Sequence, residues 1–261
     1  MDALFRRRRL PHLDVEGATY FVTACLAGSI PAVGLKELDR YRRELESLKK
    51  PVGRSERDWR LHKHKLLFAR VDEWLDGMPA VRHFQNNDIA KVVRDGLFHF
   101  AGERYHQIAY CIMPSHIHWV FQPTRKWCDE LAEKEKERQR QARCLPHRKS
   151  GAGILPAAPP AKANRAPKSP REVIMQSLKS YTALRCNTIL GHSGAFWQDE
   201  SYDHVVRDDD ELLRIIHYVE QNPVKAMLAK TAEEWQWSSA TERVRSGTVI
   251  GQPLVKKDRK E

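Results

Sequence analysis

Two histidines one residue apart, His116 and His118, lie in the run His116-Ile117-His118-Trp119-Val120-Phe121. In an extended strand the side chains alternate between faces, so His116, His118 and Val120 share one face and Ile117, Trp119 and Phe121 the other. Two imidazoles side by side above a buried apolar face form a two-pronged clamp for a divalent cation. Imidazole matches Zn²⁺ or Mn²⁺ better than Mg²⁺ in softness, while a substrate phosphate and waters can complete the shell of a hard ion. Such a pair is common in strands without any metal, so its company decides its meaning.

The elements that would position the pair follow from periodicity. Ile108, Tyr110 and Ile112 alternate with Ala109 and Cys111, Met113-Pro114-Ser115 breaks the run, and the histidine strand resumes it, which predicts strand, turn, strand over 104–123. Thr19 to Leu26, bounded by Gly17 and Gly28, predicts the first strand. Leu35, Leu38, Tyr41, Leu45 and Leu48 predict a helix over 34–50, and Trp59, Leu61, Leu66, Leu67 and Trp74 a second over 55–75, so that 34–78 reads as a helical insertion. Ile89, Val92, Val93, Leu97 and Phe100 mark a helix over 88–103, capped by Asn87 or Asp88. The resulting order, β-α-β-β, is the front of a split βαβ sheet, and the expected class is α+β, a ferredoxin-like antiparallel sheet with helical insertions and C-terminal helices.

Beyond Pro123 the composition changes. Residues 124–170 read as a basic, Pro/Ala-rich, flexible linker, with a charge-dense stretch, Lys134 to Arg143, suited to a short solvated helix. Ser169 as cap, Pro170 at the first position and Glu172 as the reciprocating acid open a helix that Gly191 closes. Ala195 to Asp203 reads as irregular or a short strand. Asp208 and Glu211 open a helix over 208–221, which Asn222-Pro223 is expected to end, followed by a short helix over 224–228 and a charged tail over 247–261. Residues 1–123 and 171–246 would together complete one domain.

Charge and cysteine usage bound the function. A net charge of +11 with pI about 9.5 favours polyanionic partners, since each neutralised phosphate releases counterions. The basic run Arg6, Arg7, Arg8 and Arg9 suits a phosphate backbone or a disordered tail equally. No apolar run approaches the roughly 18 residues of a membrane span, and no apolar segment follows the arginines as in a secretory signal. Five scattered cysteines without a Cys-x-x-Cys fit a reducing, cytoplasmic setting rather than a disulfide framework.

The motif CIMPSHIHWVF resembles the histidine–hydrophobe–histidine motif of single-tyrosine HUH transposases, in particular the REP-associated tyrosine transposases; LKSYTALRCN, GAFWQDESYDHVVRDDDEL and YVEQNPVKAMLA are similar to that branch as well, in its order and over about half the chain. The resemblance implies a metal-dependent endonuclease and strand transferase acting on single-stranded or hairpin DNA, using Mg²⁺ or Mn²⁺ and working as a monomer or homodimer. His116 and His118 would hold the cation, and Tyr181, a phenol on a helix laid across the sheet, would form the 5′-phosphotyrosine link. Tyr202 is the alternative nucleophile. HUH transposases place a glutamine ligand one turn after the tyrosine; here Arg185 stands there and cannot ligate a cation, leaving Asn187 or Gln176 as candidate third ligands. Lys179, Arg185, Arg207 and His204 are candidate DNA contacts, and Trp197 a base-stacking or core residue. Two rival readings are a non-cleaving DNA-binding protein of the same fold, supported by Arg185, and a metal-dependent RNA nuclease.

Overall fold

The computed structural model describes residues 3–7, 11–15, 17–77, 79–144, 168–199 and 201–254. Arg8, Arg9 and most of the Pro/Ala-rich segment lie outside them. The chain opens with a hairpin, β1 (Ala3–Arg7) against β2 (Pro11–Val15), where the sequence suggests only a basic arm. β3 (Tyr20–Cys25) follows, then the helices α1 (Ala32–Ser47), α2 (Glu56–Asp76) and α3 (Asn87–Phe98), and the strands β4 (Tyr105–Ile112) and β5 (His116–Pro123). The remaining elements are α4 (Arg125–Cys144), α5 (Pro170–Leu190), β6 (Tyr202–Val205), α6 (Asp209–Lys225) and α7 (Ser239–Ser246).

The four-stranded sheet is antiparallel with order β4-β5-β3-β6. Each of the crossovers β3-α3-β4 and β5-α5-β6 skips one strand, and the skipped strand belongs to the other crossover. That is the split βαβ arrangement of a ferredoxin-like sheet. Alternation along the strands assigns the two faces. Tyr20, Val22 and Ala24 of β3 and Ile117, Trp119 and Phe121 of β5 pack against Ile89, Val93 and Leu97 of α3 and Ile174, Met175 and Leu178 of α5. The opposite face presents Phe21, Val120, Ala109 and Cys111 to Ile216 and Val219 of α6, and Cys25 to the cluster formed by α1 and α2.

Local chemistry explains the helix ends. Ser169 Oγ accepts from the Glu172 amide at 3.2 Å, Glu172 returns a bond to the Ser169 amide at 2.9 Å, and Gly191 closes α5 at φ 60°. Asp208 accepts from the Glu211 amide at 2.7 Å to open α6. A buried arginine locks the layers together: Arg171 Nε donates to Asp14 at 2.9 Å and stands 3.6 Å from Asp203, joining α5 to β2 and β6.

Two expectations are corrected. Residues 125–144 of the expected linker form the long helix α4, whose exposed faces carry ion pairs three residues apart such as Glu135 with Arg138. Asn222-Pro223 does not end α6. Pro223 removes one donor inside the last turn, yet the Ala226 amide bonds Asn222 O at 2.9 Å and carries the ladder onward, so 224–228 is no separate helix.

Candidate metal centre and nucleophile

His116 and His118 are fully buried on the α2/α6 face of β5, with their Nε2 atoms 3.1 Å apart. Each ring is oriented from behind. Thr23 Oγ1, on the paired strand directly opposite, lies 2.7 Å from His118 Nδ1. Ser115 donates its hydroxyl to Leu75 O at 3.3 Å, which leaves its oxygen to accept from His116 Nδ1–H at 3.0 Å. That bond fixes the tautomer with the Nε2 lone pair facing the site, the orienting role that outer-shell hydrogen bonds play for ligating histidines. Burial, and then the neighbouring His118, hold the His116 pKa well below the usual range; burial and the Lys225 charge push His118 down to about 3. Both imidazoles are therefore neutral and fit to ligate.

Two carboxylates reach the pair from α2. Asp72 Oδ1 lies 3.5 Å from His118 Nε2, and Asp76 Oδ1 lies 3.8 Å from His116 Nε2. The ligand atoms of Asp72, His116 and His118 all fall within 4.8 Å of one another. From α6, the Asn222 amide nitrogen is 3.0 Å from His118 Nε2. Tyr218, one turn earlier on the same helix face, donates its hydroxyl to Asp72 Oδ2, with its ring centroid 5.5 Å from that of His118. Burial, and then the Asp72 charge, raise the Tyr218 pKa far above the ordinary phenol range. Lys225, two turns along α6 and more than half exposed, stands at the mouth, 3.1 Å from Asp76 Oδ2 and 3.7 Å from Asp72 Oδ2.

The donor set fits a divalent cation on its own chemistry. Asp72 Oδ1, Asp76 Oδ1 and Asn222 Oδ1 are buried without a hydrogen-bond partner, a costly state for any oxygen and more so for a carboxylate. Burial, and then the adjacent Asp72 charge, push the Asp76 carboxyl up to about 6. Two orphaned carboxylate oxygens, Asp72 Oδ1 and Asp76 Oδ1, stand 3.5 and 3.8 Å from two neutral ring nitrogens, an arrangement that a positive ion would satisfy.

The structure gathers His116 and His118 as the sequence suggests, but it does not bring Tyr181 to them. Tyr181 lies on α5, on the far face of the sheet, where its ring is parallel to His99 at 6.1 Å and beneath the Arg185 guanidinium at 4.9 Å. The physical reason is alternation: the odd-numbered side chains of β5 face α5, and the histidines are even-numbered. Tyr202 is buried in the α1/α2 cluster beside Phe68. Asn187 and Gln176 lie on α5 with Tyr181, where the Asn187 amide nitrogen donates to Gly194 O at 3.0 Å and the Gln176 oxygen accepts from Lys168. Lys179 holds the carbonyls of Gln198 and Asp199 at 2.7 and 3.1 Å. Arg207 grips Glu211 through two bonds of 2.9 and 2.8 Å, joined there by His204 at 3.2 Å and Lys65 at 3.0 Å. Trp197 donates to Thr182 at 2.9 Å within the core. Arg6 and Arg7 lie in β1.

Asp72, Asp76, Tyr218 and Asn222 escape a reading of the sequence around Tyr181. For α6 a signal exists: Tyr218 and Asn222 are four residues apart, the spacing that stacks a phenol and a carboxamide on one helix face. For the aspartates only tertiary structure suffices.

No family model matches the chain, and no curated protein matches it. Among solved structures, a REP-associated tyrosine transposase bound to a REP hairpin aligns over 98% of this chain and 93% of its own, at 13% identity and TM-score 0.39. Strand order and register, rather than that superposition, carry the fold assignment.

Proposed function

We propose that this chain cleaves and rejoins single-stranded, hairpin-forming DNA through a covalent phosphotyrosine, with Tyr218 as the attacking group. One observation carries the reading: the Asp72 carboxylate accepts the Tyr218 hydroxyl on one oxygen, while its other oxygen lies 3.5 Å from His118 Nε2. Nucleophile and ligand set meet in one side chain. The strongly basic chain supports a polyanionic substrate.

His116, His118 and Asp72 would hold the cation, with Asn222 and Asp76 beside them. Bound Mg²⁺ or Mn²⁺ supplies Lewis-acid polarisation of the non-bridging phosphate oxygens, and Mn²⁺ suits the imidazole pair better. Asp72 Oδ2 takes the Tyr218 proton as the phenolic oxygen bonds to phosphorus. The bond from phosphorus to the 3′ oxygen breaks, and the proton received by Asp72 is available to the departing 3′-hydroxyl. The DNA stays attached through its 5′ phosphate, and attack by another 3′-hydroxyl reverses the sequence and joins the strands. Lys225 at the mouth offers a counter-charge to the phosphate.

The rival reading, a non-cleaving binder, rested on Arg185 one turn after Tyr181. With Tyr218 as the attacking group, the residue one turn on is Asn222, whose side chain lies beside His118, and this favours cleavage over binding alone. The test is incubation of the protein with end-labelled single-stranded hairpin DNA, its RNA counterpart and Mn²⁺, followed by a denaturing protein gel. A DNA label that migrates with wild type and is lost in Tyr218→Phe is the expected result. Binding of the hairpin with no adduct under any condition would overturn cleavage, and strand scission of the RNA without an adduct would favour a nuclease.

A further inference from the structure

The C-terminus of α6 is built in an unusual way for its sequence. The Leu228 amide bonds Pro223 O at 2.8 Å and the Met227 amide bonds Val224 O at 3.0 Å. This pair of bonds is the Schellman closure, whose pivot residue must adopt the left-handed conformation and is usually glycine. Helices α5 and α7 obey the preference with Gly191 at φ 60° and Gly247 at φ 70°. In α6 the pivot is Met227 at φ 56°, and among the described residues it is the one non-glycine with positive φ. A side chain there is strained by its own backbone. Nor does folding recover that strain through burial, because Met227 is 91% exposed and Leu228 beside it 40%.

The location gives the side chain a use. Met227 stands two residues beyond Lys225, whose ammonium group marks the mouth of the metal centre. A cation followed by a projecting, flexible apolar group presents the two chemistries of an unpaired nucleotide, a phosphate for the lysine and a base face for the methionine. Base faces are open to such contact only where the nucleic acid is unpaired or unstacked, and methionine is among the apolar side chains that proteins insert against them. We infer that Met227 contacts an unpaired base next to the scissile phosphate, so that α6 supplies the nucleophile, a phosphate contact and a base contact in sequence. This inference rests on the nucleic-acid reading of the site and adds the recognition of a single-stranded flank to it.

The test compares full-length wild type, Met227→Gly, Met227→Asn and Met227→Leu. Affinity is measured by fluorescence anisotropy for a DNA hairpin carrying an unpaired flank and for a blunt duplex, alongside thermal melting. Glycine and asparagine both accept the left-handed conformation, so these variants should melt at or above the wild-type temperature while binding the flanked hairpin about tenfold more weakly. Leucine should retain most of the affinity, and duplex binding should be the same for all four. Equal affinity of all four proteins for the flanked hairpin would overturn the inference and leave the nucleic-acid reading in place. A wild type that binds neither DNA would overturn that reading itself and the base contact with it.

Discussion

One residue separates His118 from Trp119, yet the two belong to different kinds of surface. The face of the sheet beneath α3 and α5 is a conventional core: Ile117, Trp119 and Phe121 are fully buried among aliphatic and aromatic neighbours, and Trp119 satisfies its indole N–H on Gln107. The face beneath α2 and α6 begins the same way, with Phe21, Val120, Ile216 and Val219, and is then interrupted by two histidines, two aspartates, a tyrosine and an asparagine. Three of those groups keep an unpartnered buried oxygen. The contrast teaches that one strand can give its odd positions to an apolar core and two of its even positions to a polar cluster, at no conflict, because the pleat keeps the two sets of side chains apart.

The largest expected effect breaks that division directly. Trp119→Ala removes a fully buried indole and should cost about 3–5 kcal/mol in chemical denaturation. His118→Ala should cost at most about 1–2 kcal/mol in the same experiment, the scale of lost side-chain hydrogen bonds. In a DNA-cleavage assay on folded protein the order inverts, with His118→Ala losing ~10²–10³-fold or more. Equal stability losses in the two variants would mean that the histidine face is core like the other.

A second expectation concerns the cation. If the α2/α6 face gathers ligands, Mn²⁺ at about 100 times its dissociation constant should stabilise the wild type by about 2.7 kcal/mol, a melting shift of roughly 5–10 °C. Asp72→Asn combined with His116→Ala should abolish the shift, whereas Tyr181→Phe should leave it intact. Differential scanning fluorimetry with and without Mn²⁺ reads all three.

The legible part of this architecture was the part written in local periodicity. Alternation in β5 gave the histidines a common face, and cap residues placed α5 and α6 near their true starts. Which tyrosine stands on the histidine face depends on which helix crosses which side of the sheet, a tertiary property with no local signature. Tyr181 is singled out by the family resemblance of its helix, while Tyr218, the residue that the structure sets beside the histidines, lies among Ile216 and Val219, which read as ordinary core. Asp72 and Asp76 were hidden for a further reason. Their helix belongs to the insertion, where a charged surface is the default reading, and nothing in the spacing announces that its last turn folds back over β5.

The smallest expected effect sharpens the same comparison away from the metal. Burial opposes ionisation of Glu211, but hydrogen bonds from Arg207 and Lys65 outweigh it and hold the carboxyl well below its usual range. A depressed folded-state pKa contributes stability that is present above the unfolded carboxyl value of about 4.3 and is lost as pH falls below it. Glu211→Gln should therefore lower stability at pH 7 by about 1–3 kcal/mol, the scale of charged hydrogen bonds, and the gap to wild type should narrow progressively as pH falls below about 4. A gap independent of pH would show that the cluster acts through shape rather than charge.

The most direct test of the central claim is to trap the covalent complex with hairpin DNA and Mn²⁺, digest it, and locate the modified tyrosine by mass spectrometry. The expected adduct lies on the α6 peptide at Tyr218. An adduct on Tyr181 would contradict the account, because it would place the chemistry on the face of the sheet opposite the histidines.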